Sequence, residues 1–248
     1  PVAKPSGQTG ALAASSDTGS SNTDGITNNK TPAITGKATA GAAVEVTFTD
    51  ANGNPVSGGP YTATADSNGN YTVNVTPALA DGKYKPVIKV TNSAGSSTAT
   101  GTQFEIDTST TGTGGLTHNA TIDTGSNTTD SITSNKTPTF SGTGEPGATV
   151  KVTVNGVDLT ATVDSAGNWT TPAYAGAALT DGQYPVQMVF TDKAGNTKTV
   201  TAAPLVISTV AKTAAISVDA IAGDNTINAT EASAANTTVT GKVTGDFT

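Results

Sequence analysis

The stretch Asp17-Thr-Gly-Ser-Ser-Asn-Thr-Asp24-Gly-Ile-Thr-Asn-Asn-Lys-Thr-Pro32 returns almost unchanged as Asp123-Thr-Gly-Ser-Asn-Thr-Thr-Asp130-Ser-Ile-Thr-Ser-Asn-Lys-Thr-Pro138. The chain is therefore a tandem array. Each copy sets two aspartates seven residues apart in a loop of Gly, Ser, Thr and Asn. Ordering such a loop is costly in entropy unless something outside the polypeptide binds there, and a divalent cation is the first candidate.

Working outward, the copies stay aligned. The offset is 106 for Asp17/Asp123, Pro32/Pro138, Gly36/Gly142 and Gly41/Gly147, then 98 for Asp66/Asp164, then 100 for Asp81/Asp181, Tyr84/Tyr184 and Gly95/Gly195. Length changes fall between these anchors, as loops on a fixed scaffold do. Apolar residues alternate within each copy: Val44, Val46 and Phe48 match Val150, Val152 and Val154, and Tyr84, Ile88 and Val90 match Tyr184, Met188 and Phe190. Period two marks half-buried strands. Turn signals separate them, among them Asn155-Gly156, which favours a type I′ hairpin, Asp66-Ser-Asn-Gly-Asn70 and Asp192-Lys-Ala-Gly-Asn196.

About seven such strands in roughly 100 residues is the count of an immunoglobulin-like sandwich. Tyr84 and Tyr184 follow the turns Asp81-Gly82 and Asp181-Gly182 at the start of the penultimate strand, where that fold often carries a tyrosine corner. The expected fold class is all-β: tandem immunoglobulin-like β-sandwiches arranged as an elongated rod. Residues 1–11 read as a linker, 12–107 and 108–208 as two domains, and 209–248 as the N-terminal part of a truncated third repeat that cannot bury a core unless a partner completes it. The chain opens at Pro1 without Met and reads as a fragment of something longer.

Composition narrows the function classes. Charged residues make up 12% of the 248, and the net charge is -7 with a pI near 4.5. No Lys/Arg cluster stands ready to neutralise successive phosphates, which argues against nucleic acid, whereas an acidic surface suits cations. Cysteine is absent, so the domains must be held by their cores, by metal or by both. No segment approaches the roughly 20 apolar residues needed to span a membrane.

Taken in order, several elements resemble the tandem immunoglobulin-like repeats of giant bacterial adhesins exported by type I secretion, including biofilm-associated proteins. They are Asp17-Thr-Gly, Asp24-Gly-Ile-Thr, Thr31-Pro32, Glu145-Pro-Gly147-Ala-Thr-Val150, Asp164-Ser-Ala-Gly-Asn-Trp169 and Phe190-Thr-Asp192-Lys-Ala-Gly-Asn196. Asp219-Ala-Ile-Ala-Gly-Asp224-Asn-Thr-Ile-Asn-Ala-Thr-Glu231 resembles another repeat type of the same proteins. The resemblance covers nearly the whole chain, and it implies a surface-exposed fibre whose interdomain joints bind Ca²⁺.

An immunoglobulin-like topology allows the joint to be argued separately. If the first strand leaves the entry pole, Asp17 and Asp24 of the A–B loop, Asp81 of the E–F loop and Asp107 at the end of the last strand share the exit pole. Glu145 and Asp192, in the B–C and F–G turns of the next domain, face them. A hard cation wanting six to eight oxygens suits such carboxylates with carbonyls and water. The second joint is expected to be weaker: Asp123, Asp130 and Asp181 repeat the pattern, but Ser208 stands where Asp107 stood. The first domain's own entry pole has Thr39 and Asn92 at the positions of Glu145 and Asp192. Asp219, Asp224 and Glu231 are a further candidate set in the third unit.

Other motifs carry less. Asp50-Ala-Asn-Gly-Asn54 and Asp66-Ser-Asn-Gly-Asn70 start like EF-hand loops but lack Gly at the sixth position and Glu at the twelfth, so hairpin turns are expected. His118 is the only histidine; a Ser/His hydrolase centre or a histidine-based zinc enzyme has little support, and an exposed polar residue is expected. Trp169 aligns with Tyr71 on a strand and reads as a packing aromatic rather than a sugar platform. The expected function is that of a non-enzymatic, Ca²⁺-rigidified spacer of a bacterial cell-surface or secreted adhesin, its partners being neighbouring repeats and a host-cell or glycan receptor. The alternatives are a carbohydrate- or receptor-binding module and a non-catalytic appendage of a secreted enzyme.

Overall fold

A computed structural model describes residues 1–210, 214–221, 225–233 and 239–245. In the first domain the alternating segments pair as two sheets. Ala11–Leu12, Ala33–Lys37 and Asn70–Asn74 form one; Ile26–Thr27, Phe104–Ile106, Gly82–Asn92, Ala43–Asp50 and Pro55–Thr64 form the other, with Gly95–Thr100 also on Gly82–Asn92. The second domain repeats the first sheet as Gly112–Leu116, Phe140–Gly144 and Asn168–Thr170. Its other face is split into Ile132–Thr133, Leu205–Ile207 and Gly182–Tyr184, and a four-stranded group centred on Thr149–Val154 and Val186–Thr191. The division falls at Pro185, which has no N–H to give to a ladder, between Gly182–Tyr184 and Val186–Thr191.

All pairings are antiparallel except one in each domain: Ile26–Thr27 runs parallel to Phe104–Ile106, and Ile132–Thr133 parallel to Leu205–Ile207. The repeated stretch is therefore a crossover. It leaves the first sheet at Leu12 or Leu116, loops through the paired aspartates, and joins the last strand of the opposite sheet.

Each sandwich has its own core. Ile34, Val44, Val46, Ile88, Val90, Phe104 and Ile106 are buried in the first, and Phe140, Val150, Val152, Trp169, Met188, Phe190 and Leu205 in the second. Trp169 is 3% exposed, meets Phe190 edge-on at 5.9 Å, and donates its indole N–H towards Thr113 O and Thr143 O at 3.2 Å. Gly114 makes room for it: a Cβ there would lie 2.2 Å from the Trp169 ring. Both tyrosine corners form, with Tyr84 Oη donating to Ala80 O at 2.8 Å and Tyr184 Oη to Thr180 O at 2.9 Å. Asn155 and Gly156 take φ of 48° and 75° between Val154 and Val157, the two positive values a type I′ turn requires.

The segment read as a linker lies against the first domain. Thr9 pairs with Lys37 and accepts Tyr71 Oη at 2.6 Å, and Gln8 is 7% exposed. In the third unit Ala214–Val218 pairs antiparallel with Gly241–Gly245, and Ala229–Ala232, between them in sequence, forms a one-turn helix. Ile216 and Val243 on these strands are 74% and 55% exposed.

Candidate metal site at the joint between the two domains

Three carboxylates from three separate segments meet where the domains abut. Asp107 follows the last strand of the first domain, its N–H held by Thr27 O at 2.8 Å. Glu145 sits in the turn after Phe140–Gly144, closed by Ala148 N–H on Glu145 O at 3.0 Å with Gly147 at φ 86°. Asp192 opens the F–G turn and is 4% exposed; Asn196 gives its N–H to Asp192 Oδ1 and its side-chain amide to Oδ2, both at 2.8 Å. One oxygen from each of Asp107, Glu145 and Asp192 lies within 4.8 Å of the others. Burial pushes the Glu145 carboxyl above its usual range, and the charges of Asp107 and Asp192 add to the effect, while Thr110 lowers it. The donor set is oxygen only, the chemistry of a hard divalent cation rather than of a transition metal.

The other expected ligands divide. Asp17 and Asp24 lie together within the A–B loop, lining a cleft with Asn22 and Thr23. Asp17 is 8% exposed; its Oδ2 accepts Gly25 N–H at 3.0 Å, whereas Oδ1 is buried with no partner. Its pKa is raised, chiefly by burial and further by Asp24, against the Gly25 hydrogen bond. These two aspartates stand outside the three-carboxylate group: the long crossover turns their carboxylates back onto its own backbone, Asp24 Oδ1 accepting Ile26 N–H at 3.0 Å. Asp81 is not in the group either. It accepts Thr108 N–H at 3.1 Å and Thr108 Oγ1–H at 2.9 Å, and pairs with Lys30 at 3.3 Å. Burial raises its pKa, but Thr108 and Lys30 outweigh that and hold it below the usual range.

In the second domain Asp181 repeats this role on Thr209, accepting its N–H at 3.0 Å and its hydroxyl at 2.8 Å. Ser208 occupies the place of Asp107, its N–H on Thr133 O at 2.9 Å. Asp123 is fully buried and meets His118 Nδ1 at 2.8 Å, with Ser131 N–H at 3.3 Å on the same oxygen and Oδ1 unpartnered. Asp130 accepts Ile132 N–H at 3.0 Å. Asp219 is exposed and accepts the Thr240 hydroxyl at 2.8 Å. Asp224 and the side chain of Glu231 lie outside the described residues.

Sequence reasoning missed the contacts that seat one domain on the other. Thr18 Oγ1 donates to Ala194 O at 2.8 Å, and Asn196 Nδ2 donates to Asp107 O at 2.9 Å. A Cβ on Gly19 (φ 92°) would fall 1.9 Å from Lys193 O, so the A–B loop can approach the F–G turn only with glycine there. The signal was present in the Thr-Gly of the repeated stretch and in the Asn that ends the Asp192 turn, but both also read as ordinary turn residues.

Among the described residues no helix is long and apolar enough to cross a membrane. No curated protein matches the chain. Solved structures do. A four-repeat segment from the extending region of a large adhesion protein is 22% identical over 95% of this chain and 55% of that one, with a TM-score of 0.36. A Ca²⁺-stabilized adhesin by which an Antarctic bacterium reaches out and binds ice is 28% identical over 98% and 58%, with a TM-score of 0.40. A 1.5-MDa bacterial ice-binding adhesin, in a structure bearing on its retention at the host cell surface, is 25% identical over 98% and 77%, with a TM-score of 0.41. The chain thus spans 55% and 58% of the first two. Residues 4–108 and 110–209, each one complete sandwich, match the bacterial Ig-like domain, and the chain belongs to that family in two tandem copies.

Proposed function

We propose that this chain is a non-enzymatic stalk segment of a bacterial cell-surface or secreted adhesin, and that Ca²⁺ holds its two domains in a fixed relation. The single observation that carries this reading is the meeting of Asp107, Glu145 and Asp192, from two domains, within 4.8 Å. Carboxylates gathered in this way repel one another until a cation neutralises them. Ca²⁺, when bound, supplies that charge; Asp107, Glu145 and Asp192 would hold it, with backbone carbonyls and water as further oxygens. The orphaned Asp17 Oδ1 beside Asp24 supports a second position in the A–B loop; the counterpart Asp123 also has an orphaned Oδ1 but faces His118, so Asp123 and Asp130 would hold an ion less well. Asp181 and Asp219 would serve only peripherally, since each already has a hydroxyl partner.

The units of this stalk are taken as 12–107 and 108–208, with residues 1–11 entering the first and 209–248 beginning a third. Neighbouring repeats are the immediate partners, and the setting is extracellular, in adhesion and biofilm formation. A carbohydrate-binding reading built on Trp169 loses its platform, because that ring is 3% exposed. Small-angle scattering of the full chain in calcium and in chelator tests the proposal. The maximum dimension and interdomain distance distribution should sharpen with calcium, and an identical profile in both would overturn it.

A further inference from the structure

Both F–G turns grip the chain that enters their own domain, but from different positions in the turn. Ala11 pairs with Thr35 and Gly115 with Ser141, and Thr35 and Ser141 share the 106-residue offset of the repeat. Ala3 and Asp107, each eight residues ahead of that pairing, are therefore equivalent. In the first domain Asn92, which opens the F–G turn, donates its side-chain amide to Ala3 O at 2.8 Å. In the second domain the opening residue is Asp192, whose carboxylate has no hydrogen to give. There the amide of Asn196, at the fifth position, donates to Asp107 O at 2.9 Å while also holding Asp192 Oδ2 at 2.8 Å. The fifth position of the first domain's turn is Ser96. The three positions that carry carboxylates at the second domain's entrance, Asp107, Glu145 and Asp192, are Ala3, Thr39 and Asn92 at the first.

We propose that each F–G turn carries an amide clamp on the incoming chain, Asn92 in the first domain and Asn196 in the second, and that the two joints differ in kind. The entrance to the first domain is closed by its clamp alone, without a divalent cation. The entrance to the second is clamped from the far end of the turn, which leaves the near end free to be a carboxylate. Asn196 is thus a positioning residue for Asp192 and for the Asp107 carbonyl. The clamp itself stands apart from the calcium reading; only its partnership with a cation rests on that reading.

The test uses the full chain with three sets of substitutions, followed by amide hydrogen exchange at residues 108–110 and 3–4 and by NMR relaxation of the two domains. In chelator, Asn196→Ala should raise exchange at 108–110 by roughly five- to tenfold, as expected for one lost hydrogen bond, and let the domains tumble with separate correlation times. The double variant D192N/N196S writes the first domain's turn chemistry into the second. It should restore slow exchange and joint tumbling in chelator, and abolish any response to calcium. Asn92→Ala should raise exchange at residues 3–4 equally in calcium and in chelator. Unchanged exchange and tumbling in Asn196→Ala, or a double variant that behaves like Asn196→Ala, overturns the clamp. A native chain that ignores calcium overturns the cation reading instead, and leaves the chelator comparison to decide the clamp.

Discussion

After its last strand the first domain presents Asp107, tied to Thr27 O, and there it meets Glu145 and Asp192 of its neighbour. After its last strand the second domain presents Ser208, tied in the same way to Thr133 O, beside Thr209 held by Asp181. The backbone device is repeated while the charge is not. The A–B loops differ as well. Asp17 lies five residues beyond Leu12, but Asp123 lies seven beyond Leu116, and the longer path carries His118 onto Asp123. One buried aspartate therefore sits beside a second carboxylate, and its counterpart sits beside an imidazole. Near-identical sequence at the loop thus does not make the two exit poles electrostatically equivalent, because His118 reaches Asp123 from outside the repeated stretch.

The comparison can be broken most forcefully at the cores. Phe190→Ala removes a fully buried ring from the second domain only, and should cost about 3–5 kcal/mol. Calorimetry should then show two separated transitions, the first domain melting as before; a single shifted transition would mean that the sandwiches do not fold independently. Next in size is the charge at the joint. Asp107→Ser gives the first exit pole the residue of the second, and calcium affinity by titration calorimetry should fall roughly 100-fold, towards the upper range for loss of a group that supports a metal site. An affinity equal to that of the native chain would place the ion elsewhere.

His118→Ala leaves Asp123 buried with one polar partner fewer, and should lower the second domain's stability by about 1–3 kcal/mol in denaturant unfolding at neutral pH. The first domain, which has no residue in that place, should not respond. The smallest effect is that of pH on the joint in chelator. The Glu145 pKa is raised above the ordinary carboxylate range by burial and by the charges of Asp107 and Asp192, so it favours the docked state fully below its unfolded pKa and loses that contribution as pH rises through the raised one. Docking in chelator should therefore tighten as pH falls from 7 through the carboxylate range, and calcium should reverse the trend, because protons then compete with the ion. Scattering profiles at two pH values, with and without calcium, give the sign.

Much of the fold was legible because it depends on local periodicity. Val150, Val152 and Val154 alternate because one face of their strand is buried, and Asn155-Gly156 turns the chain because both residues tolerate positive φ. Tyr84 and Tyr184 could be placed at a corner because the hydrogen bond they make spans only four residues. The site was legible in part. Asp107, Glu145 and Asp192 follow from topology alone, since ends of strands and turns at one pole must share space. Asp81 was not legible in the same way, because a carboxylate at that pole is indistinguishable, in sequence, from one that caps Thr108.

The sequence by itself determined the tandem register, the two sandwiches and the pole at which the acidic residues gather, all consequences of spacing and of strand alternation. Only the tertiary structure decided which carboxylates face one another, that Asp17 and Asp24 fold back on their own loop, and that Asn196 reaches Asp107 O across 89 positions of chain. Those outcomes turn on ångström distances between side chains brought together by packing, and electrostatic and hydrogen-bond energies change too steeply over such distances for spacing along the chain to fix them.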